Sequence, residues 1–545
     1  MPDFMGIVAR ARARTGEKDW AAAAELWTTV TTANPVNGDY WARLGEARFG
    51  AADYAGAREA YEEVLRLGLR ETVLSEGVPP LIPGEVAYRI ACCEAAAGDL
   101  EAAVGALRVA LDRGMRDLAR VRSEAVWQEL RVDQRIRDMI GIIDTGSMPR
   151  DDGWRYDLAF LAREIKRLAY APFALQPEAE FDRTVAELDS AIPGLTEAQI
   201  VVSMMKLVRY LDDGHARIAW PEDDKKPWML PVDMFLFTEG LYVIGAAPGY
   251  ENLLGARVDK IGGLAIHKVM AALDPIITRD NEHWLTLQFP VLVRQAKVLE
   301  GLGIDHTLTV RLADGTMDEV RLEAAPIEFN WDRYPPGWVA LTDTVSEPAP
   351  LHLRNRELPF WFEYLPADDL VYFQFNAVRD HPAETLAMFC GRLFGFIEDH
   401  NVGRLVIDVR WNGGGNTFLS QHLLHHLIAS KRLSRRGALF VIIGRLTFSA
   451  AQNTVTAIER ETSAIFVGEP TGSRPNFIGE RIDFELPYSK VKANAADLFW
   501  QTSWPMDYRT WTAPDIYAPP TFETYRRNQD PALDAILAIR EHVPG

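Results

Sequence analysis

Residues 437–453, GALFVIIGRLTFSAAQN, run from an almost unbroken apolar stretch into a polar, helix-forming one, with Ser449 at the junction. A short apolar run without alternation reads as a strand buried on both faces, the mark of a parallel sheet covered by helices. Its neighbours repeat the theme. DLVYFQFNAV (369–378), AETLAMFCGRLFGFIEDH (383–400), RLVIDVRWNGGG (404–415), FLSQHLLHHLIASK (418–431), AAQNTVTAIERE (450–461) and AIFVGEPTG (464–472) alternate strand with helix. In such layers ligands gather at the carboxyl ends of strands. Ser449 falls at such an end, beside the first N–H groups of a helix, where negative charge is favoured. Two readings stand on these residues alone: an ordinary N-cap, or a nucleophile.

Two further stretches carry candidate chemistry. In DVRWNGGGNT (408–417) consecutive glycines separate a buried strand from the next helix. Such a turn lets backbone approach a ligand and aim N–H groups at one point, as an oxyanion hole requires. A phosphate loop is the rival, but no Lys-Ser/Thr pair follows and the dinucleotide fingerprint is absent. His215 lies in LDDGHARIAW (211–220), after a helical segment and before a strand-like run, as either a surface histidine or a base. His422, His425 and His426 share a helix, but no H-E-x-x-H arrangement or further ligand accompanies them. They read as packing or surface residues, and neither a metal nor an organic cofactor is indicated.

The whole chain bounds these readings. At 545 residues it exceeds one core, so three or four domains are expected. Its 48% hydrophobic and 25% charged residues are ordinary for a soluble protein, and a net charge of −19 argues against nucleic acid and anionic membranes. Cys92, Cys93 and Cys390 provide neither a disulfide framework nor a metal set. The opening MPDFMGIVARARART has no apolar core of a signal segment, and no run of about 18 apolar residues occurs, so a cytoplasmic protein is expected.

Residues 6–38, 40–72 and 86–118 each read as two short amphipathic helices, and EKDWAAAAELW, AADYAGAREAY and AGDLEAAVGAL align as a repeat, the first two offset by 34 residues. Ala23, Ala57 and Ala103 recur where helices approach, followed by Trp27, Tyr61 and Leu107. Residues 1–145 therefore resemble a tetratricopeptide array, with a 12-residue insertion at LSEGVPPLIPGE (74–85). A linker, DTGSMPRDDG (144–153), leads to a helical subdomain at 154–228 that carries His215. Residues 229–326 follow the order of a PDZ-like β-rich module, with an insertion around 274–303. A PDZ-like module binds extended peptide at a sheet edge, or here forms a structural lid. Residues 327–545 make the α/β core, so the expected fold is multidomain, α plus α/β.

The ordered set of DGHARI, the PDZ-like insert, DVRWNGGG, TFSAAQN, VGEPTGSRPN and APDI over roughly 154–525 resembles the tail-specific, or C-terminal-processing, serine peptidases, which include the tricorn core and the repeats of interphotoreceptor retinoid-binding protein. The resemblance implies a ClpP/crotonase-like core with Ser449 as nucleophile, and an oxyanion hole from the N–H groups of Ala450 and of Gly414 or Gly413. Where the bacterial members carry a lysine base, 25 residues past the serine, this chain has Arg474. A guanidinium cannot act as a neutral base. The tricorn-like arrangement instead points to His215, whose imidazole suits base work near neutrality.

Asp507 occupies the approximate place of the family's acidic residue; Glu469 and Glu480 are alternatives, and Asp515 is assigned a structural role. Arg474 is then free to bind a substrate carboxylate. The expected function is a serine peptidase acting on peptide or protein, its helical array recruiting a partner or substrate or serving as a dimerisation surface in a homo-oligomer. The alternatives are a non-catalytic peptide or apolar-ligand binder, and an ester or amide hydrolase or cyclase acting on a small metabolite.

Overall fold

The computed structural model describes residues 3–69, 82–220, 227–328 and 333–539. Residues 74–81 of the expected insertion lie outside them. The chain forms two compact units, Met1–Leu168 with Leu486–Ser489, and Ala169–Glu485 with Lys490–Gly545.

The first unit is helical. Phe4–Gly16, Trp20–Ala33, Gly38–Gly50, Tyr54–Leu67, Pro83–Ala96 and Leu100–Asp112 pack consecutively as hairpins. The small residues Ala23, Ala57 and Ala103 are fully buried, and Trp27, Tyr61 and Leu107 fill the space beside them. Gly45 lets two helices approach, because a Cβ there would stand 2.8 Å from the Tyr61 ring. Asp53 and Asp99 cap the second helices of their hairpins by accepting the N–H groups of Gly56 and Ala102. The helix Arg150–Leu168 also belongs to this unit, so the compact division falls after Leu168 and not within 144–153. Arg163 and Arg167 on this helix donate to the carbonyls of Asp138, Met139 and Met115, which ties it to the first unit.

The second unit is built on a six-stranded sheet in chain order: Phe360–Leu365, Leu370–Phe375, Arg404–Asp408, Leu439–Ile443, Ile465–Gly468 and Ile516–Tyr517. The first pair is antiparallel and the rest are parallel. Alternate residues divide between two cores. Val371, Phe373, Leu405, Ile407, Val441 and Ile443 face one side with the helices Leu386–Asp399 and Ala450–Glu461. Leu370, Tyr372, Val406, Phe440 and Ile442 face the other with Pro531–Leu537. Burial on both faces is why these strands lack a polar alternation in sequence.

Three further sheets, of seven, three and two strands, complete the unit among the described residues, the last pairing Trp228–Met229 with Ala325–Pro326. Val339–Ala340, Gly240–Ala246, Arg257–Ile261, Thr307–Arg311 and Met317–Arg321 pair in that order, with Val232–Phe237 added to Gly240–Ala246 and the short strand Leu264–Ala265 paired with Arg257–Ile261. The residues between the third and fourth of these strands form the helices Ile266–Leu273, Glu282–Leu292 and Ala296–Gly301. A long antiparallel hairpin, Asn476–Glu485 with Lys492–Gln501, takes Arg217–Ala219 as its third strand, Ile218 opposite Ala493. The strand following His215 is thereby tied to chain that comes after Ser449. No described helix is long and apolar enough to cross a membrane.

Candidate active site

After the strand Leu439–Ile443 the chain turns sharply before the helix Ala450–Glu461. Thr447, fully buried, holds the turn: its hydroxyl donates to the Val409 carbonyl at 2.9 Å and accepts the Gly444 N–H at 3.0 Å. Phe448 N–H then donates to the Asn412 carbonyl at 3.1 Å. Ser449 follows at φ 54°, ψ −126°, and its side chain makes no capping hydrogen bond. An N-cap residue sits in the extended region and uses its oxygen on the helix. Ser449 does neither, and for a residue with a Cβ this conformation costs about 1–3 kcal/mol.

The glycine turn is fixed through Asn412. Its amide donates to the Phe375 carbonyl at 2.9 Å, and its Oδ1 accepts the Gly414 N–H at 3.0 Å. Gly414 and Gly415 have φ +111° and +138°, and both are in close contact: a Cβ on Gly414 would lie 2.7 Å from Ser449 Cβ, and one on Gly415 would lie 2.2 Å from the Val378 carbonyl oxygen. Gly413 has room, meeting only Leu446 at 3.8 Å. Of the expected oxyanion donors, Gly414 N–H is therefore engaged with Asn412. Ala450 N–H stands in the first turn of its helix, where donors lack intrahelical acceptors.

His215 sits on a turn closed by Asp213, whose buried carboxylate accepts the N–H groups of His215 and Ala216, both at 2.6 Å. The ring lies 4.6 Å from that of Phe448 and 5.6 Å from that of Phe477, nearly parallel to the latter at 11°. The residue keeps partial exposure, yet both ring nitrogens are shielded and have no hydrogen-bond partner in the described structure. Burial lowers its pKa from 6.5 to about 4; the Ile478 backbone opposes that shift without making a bond of hydrogen-bond geometry. The Ser449–His215 hydrogen bond is not made. Burial acts oppositely on Asp213, raising its pKa to about 7 despite the two N–H donors.

Ser449, His215, Gly413, Gly415, Trp284 and Glu480 are among the residues lining one cavity of about 1100 Å³. Trp284, from the helix Glu282–Leu292, stacks on Phe448 at 4.0 Å and 19°. Glu480 has φ 66° and stands opposite Asp497 in an unshifted register, with Gly479 opposite Leu498 and Arg481 opposite Ala496.

The remaining expected residues go elsewhere. Asp507 is held by Arg509 at 2.8 Å and by the Ser503 hydroxyl at 2.6 Å, which lower its pKa to about 2, and it is not brought to His215. Glu469 pairs with Arg445 at 2.6 Å, and Asp515 accepts the Phe466 N–H at 2.8 Å. Arg474 does not line the cavity; both its terminal nitrogens bind Asp212 at 2.7 Å, and Nε donates to the Asp280 carbonyl at 2.9 Å. A guanidinium so engaged is not available to a substrate carboxylate. His426 packs against Phe394 at 4.8 Å. Asn412, Thr447, Asp280 and Trp284 were not distinguished by the sequence reading. Asn412 stands in the quoted RWNGGG, whereas Asp280 and Trp284 lie in the insertion and carry no local signal.

No family model and no curated protein matches the sequence. Among solved structures, a serine-to-alanine mutant of CPAF is similar at a TM-score of 0.50 and 12% identity, over 71% of this chain and 97% of that one. Mature CPAF complexed with lactacystin gives 0.49 and 13%, over 71% and 97%. The tricorn protease gives 0.33 and 14%, over 70% of this chain and 36% of that one. At such identity the CPAF likeness is one of fold.

Proposed function

We propose that the chain is a serine hydrolase that cleaves peptide bonds, with Ser449 as nucleophile and His215 as its base. The carrying observation is Ser449 itself: a strained, uncapping serine at a strand end, on one cavity with a neutral imidazole and a glycine turn. Attack on a carbonyl carbon transfers the hydroxyl proton to His215, and the imidazolium returns it to the leaving amine; water then repeats the sequence on the acyl-enzyme. The developing oxyanion is assigned to the N–H groups of Ala450 and Gly413. Because the Ser449–His215 bond is unmade, a rearrangement that brings the two side chains together must precede chemistry. The hairpins of the first unit, read as a tetratricopeptide array, would hold a protein partner or the substrate.

A non-catalytic binder is favoured by one feature, the enclosure of His215 between two phenylalanines without a polar partner. Labelling with a fluorophosphonate separates the readings. The wild type should label at Ser449, Ser449→Ala should not, and His215→Ala should label at least about 100-fold more slowly, the range of general-base assistance. Labelling that survives Ser449→Ala would sink the assignment.

A further inference from the structure

We propose that Arg474, Asp212 and Asp280 form a clamp that sets the turn carrying His215, with Arg474 as its positioning residue; this rests on the reading of His215 as the base for Ser449. Two routes run from Arg474 to that turn. Its fork binds both oxygens of Asp212 at 2.7 Å, three residues before His215. Its backbone N–H and Nε meet Asp280, at Oδ2 (3.3 Å) and at the carbonyl (2.9 Å). Asp280 in turn accepts the Gly214 N–H at 2.8 Å and the Ser473 hydroxyl at 2.6 Å. The carboxylate of Asp280 is almost wholly buried, so its partners fix it closely.

The turn has no slack on its other side. A Cβ on Gly214 would stand 2.8 Å from the Phe448 ring, and Phe448 directly precedes Ser449. A shift of the clamp is thus a shift of His215 relative to the nucleophile. Misplacement by about 1 Å can reduce rates about 100-fold. Lysine at 474 would keep the charge but lose the two-pronged contact with Asp212.

The test uses the full chain and two readouts: hydrogen exchange of the 211–219 segment, and the rate of fluorophosphonate labelling. Arg474→Gln should speed exchange in 211–219 with the strand 439–443 unchanged, and should slow labelling about 100-fold, while Arg474→Lys recovers part of both. In a His215→Ala background, Arg474→Gln should have no further effect on labelling. Unchanged exchange at 211–219, or the same loss of labelling with and without His215, would overturn the clamp. If Arg474→Gln does not fold, Asp212→Asn, at a part-exposed position, removes the charge and replaces one of the fork's two acceptor oxygens with a donor, and should move both readouts in the same direction; no movement overturns the clamp. Absence of labelling in the wild type counts against the hydrolase reading instead, and exchange alone then decides the clamp.

Discussion

At Ser449 the structure weighs against one of the two readings that local sequence leaves together, the N-cap. The residue stands at the start of a helix, but with φ 54° and no capping bond it does not serve the helix. The environment of His215, its proposed base, gives a pH signature. An imidazole accepts a proton only while neutral, and burial brings the pKa of His215 down to about 4. Labelling should therefore be level from neutrality to about pH 5 and fall as the pH drops through about 4, tenfold per unit once the ring is protonated. An inflection at about 6.5, the value of an exposed imidazole, would contradict the buried geometry. The glycines give a steric contrast. Gly414→Ala forces a Cβ to within 2.7 Å of Ser449 Cβ at φ +111°, and the nearest obstacles are backbone or Cβ atoms that cannot swing away. It should destabilise by about 1–3 kcal/mol and abolish most labelling, whereas Gly413→Ala, with open space, should keep the fold's melting temperature.

At the level of elements, three successive strand ends are linked by two polar side chains. The Asn412 amide joins Phe375 to Gly414 and the Thr447 hydroxyl joins Val409 to Gly444, while the Asn412 backbone carbonyl accepts the Phe448 N–H. Asn412→Ala strands the Gly414 N–H and the Phe375 carbonyl where neither reaches solvent. At about 1–3 kcal/mol for each stranded group, chemical denaturation should show a loss of several kcal/mol, accompanied by slower labelling. A near-neutral result would show that water enters the turn. The strands themselves were legible in sequence because burial on both faces writes an apolar run. The hairpin Asn476–Gln501 was not. Its first strand buries Phe477 and Gly479 but exposes Arg481, Asp483 and Glu485 at the same spacing, and its second strand opens with alanines that signal a helix as readily as a strand. Asp280 could not be found locally, since its partners Gly214, Ser473 and Arg474 lie 66 to 194 residues away.

At the scale of the molecule, the cavity residues come from chain segments spread between Met205 and Arg481, all within the second compact unit. Ser449, the glycine turn and His215, singled out by their order along the chain, line one cavity; Asp507 does not join them, because its carboxylate is taken up by Arg509 and Ser503. The segment Leu486–Ser489 belongs to the first unit, where Asp157 on the helix Arg150–Leu168 accepts the N–H groups of Tyr488 and Ser489, both at 2.8 Å. Gly153 admits the Tyr488 ring, which a Cβ would meet at 2.4 Å. Asp157 is fully buried, so Asp157→Ala removes the acceptor for two N–H groups away from solvent, a loss of about 2–6 kcal/mol at about 1–3 kcal/mol for each. None of the atoms around Ser449 is touched by that change. Calorimetry should show a lower unfolding temperature for the transition that contains the first unit, while the labelling rate of the folded protein at 25 °C, about the reference temperature for these energies, stays at the wild-type value. A parallel fall in labelling would mean that the tip of the hairpin, through the strand it shares with Arg217–Ala219, helps to place His215.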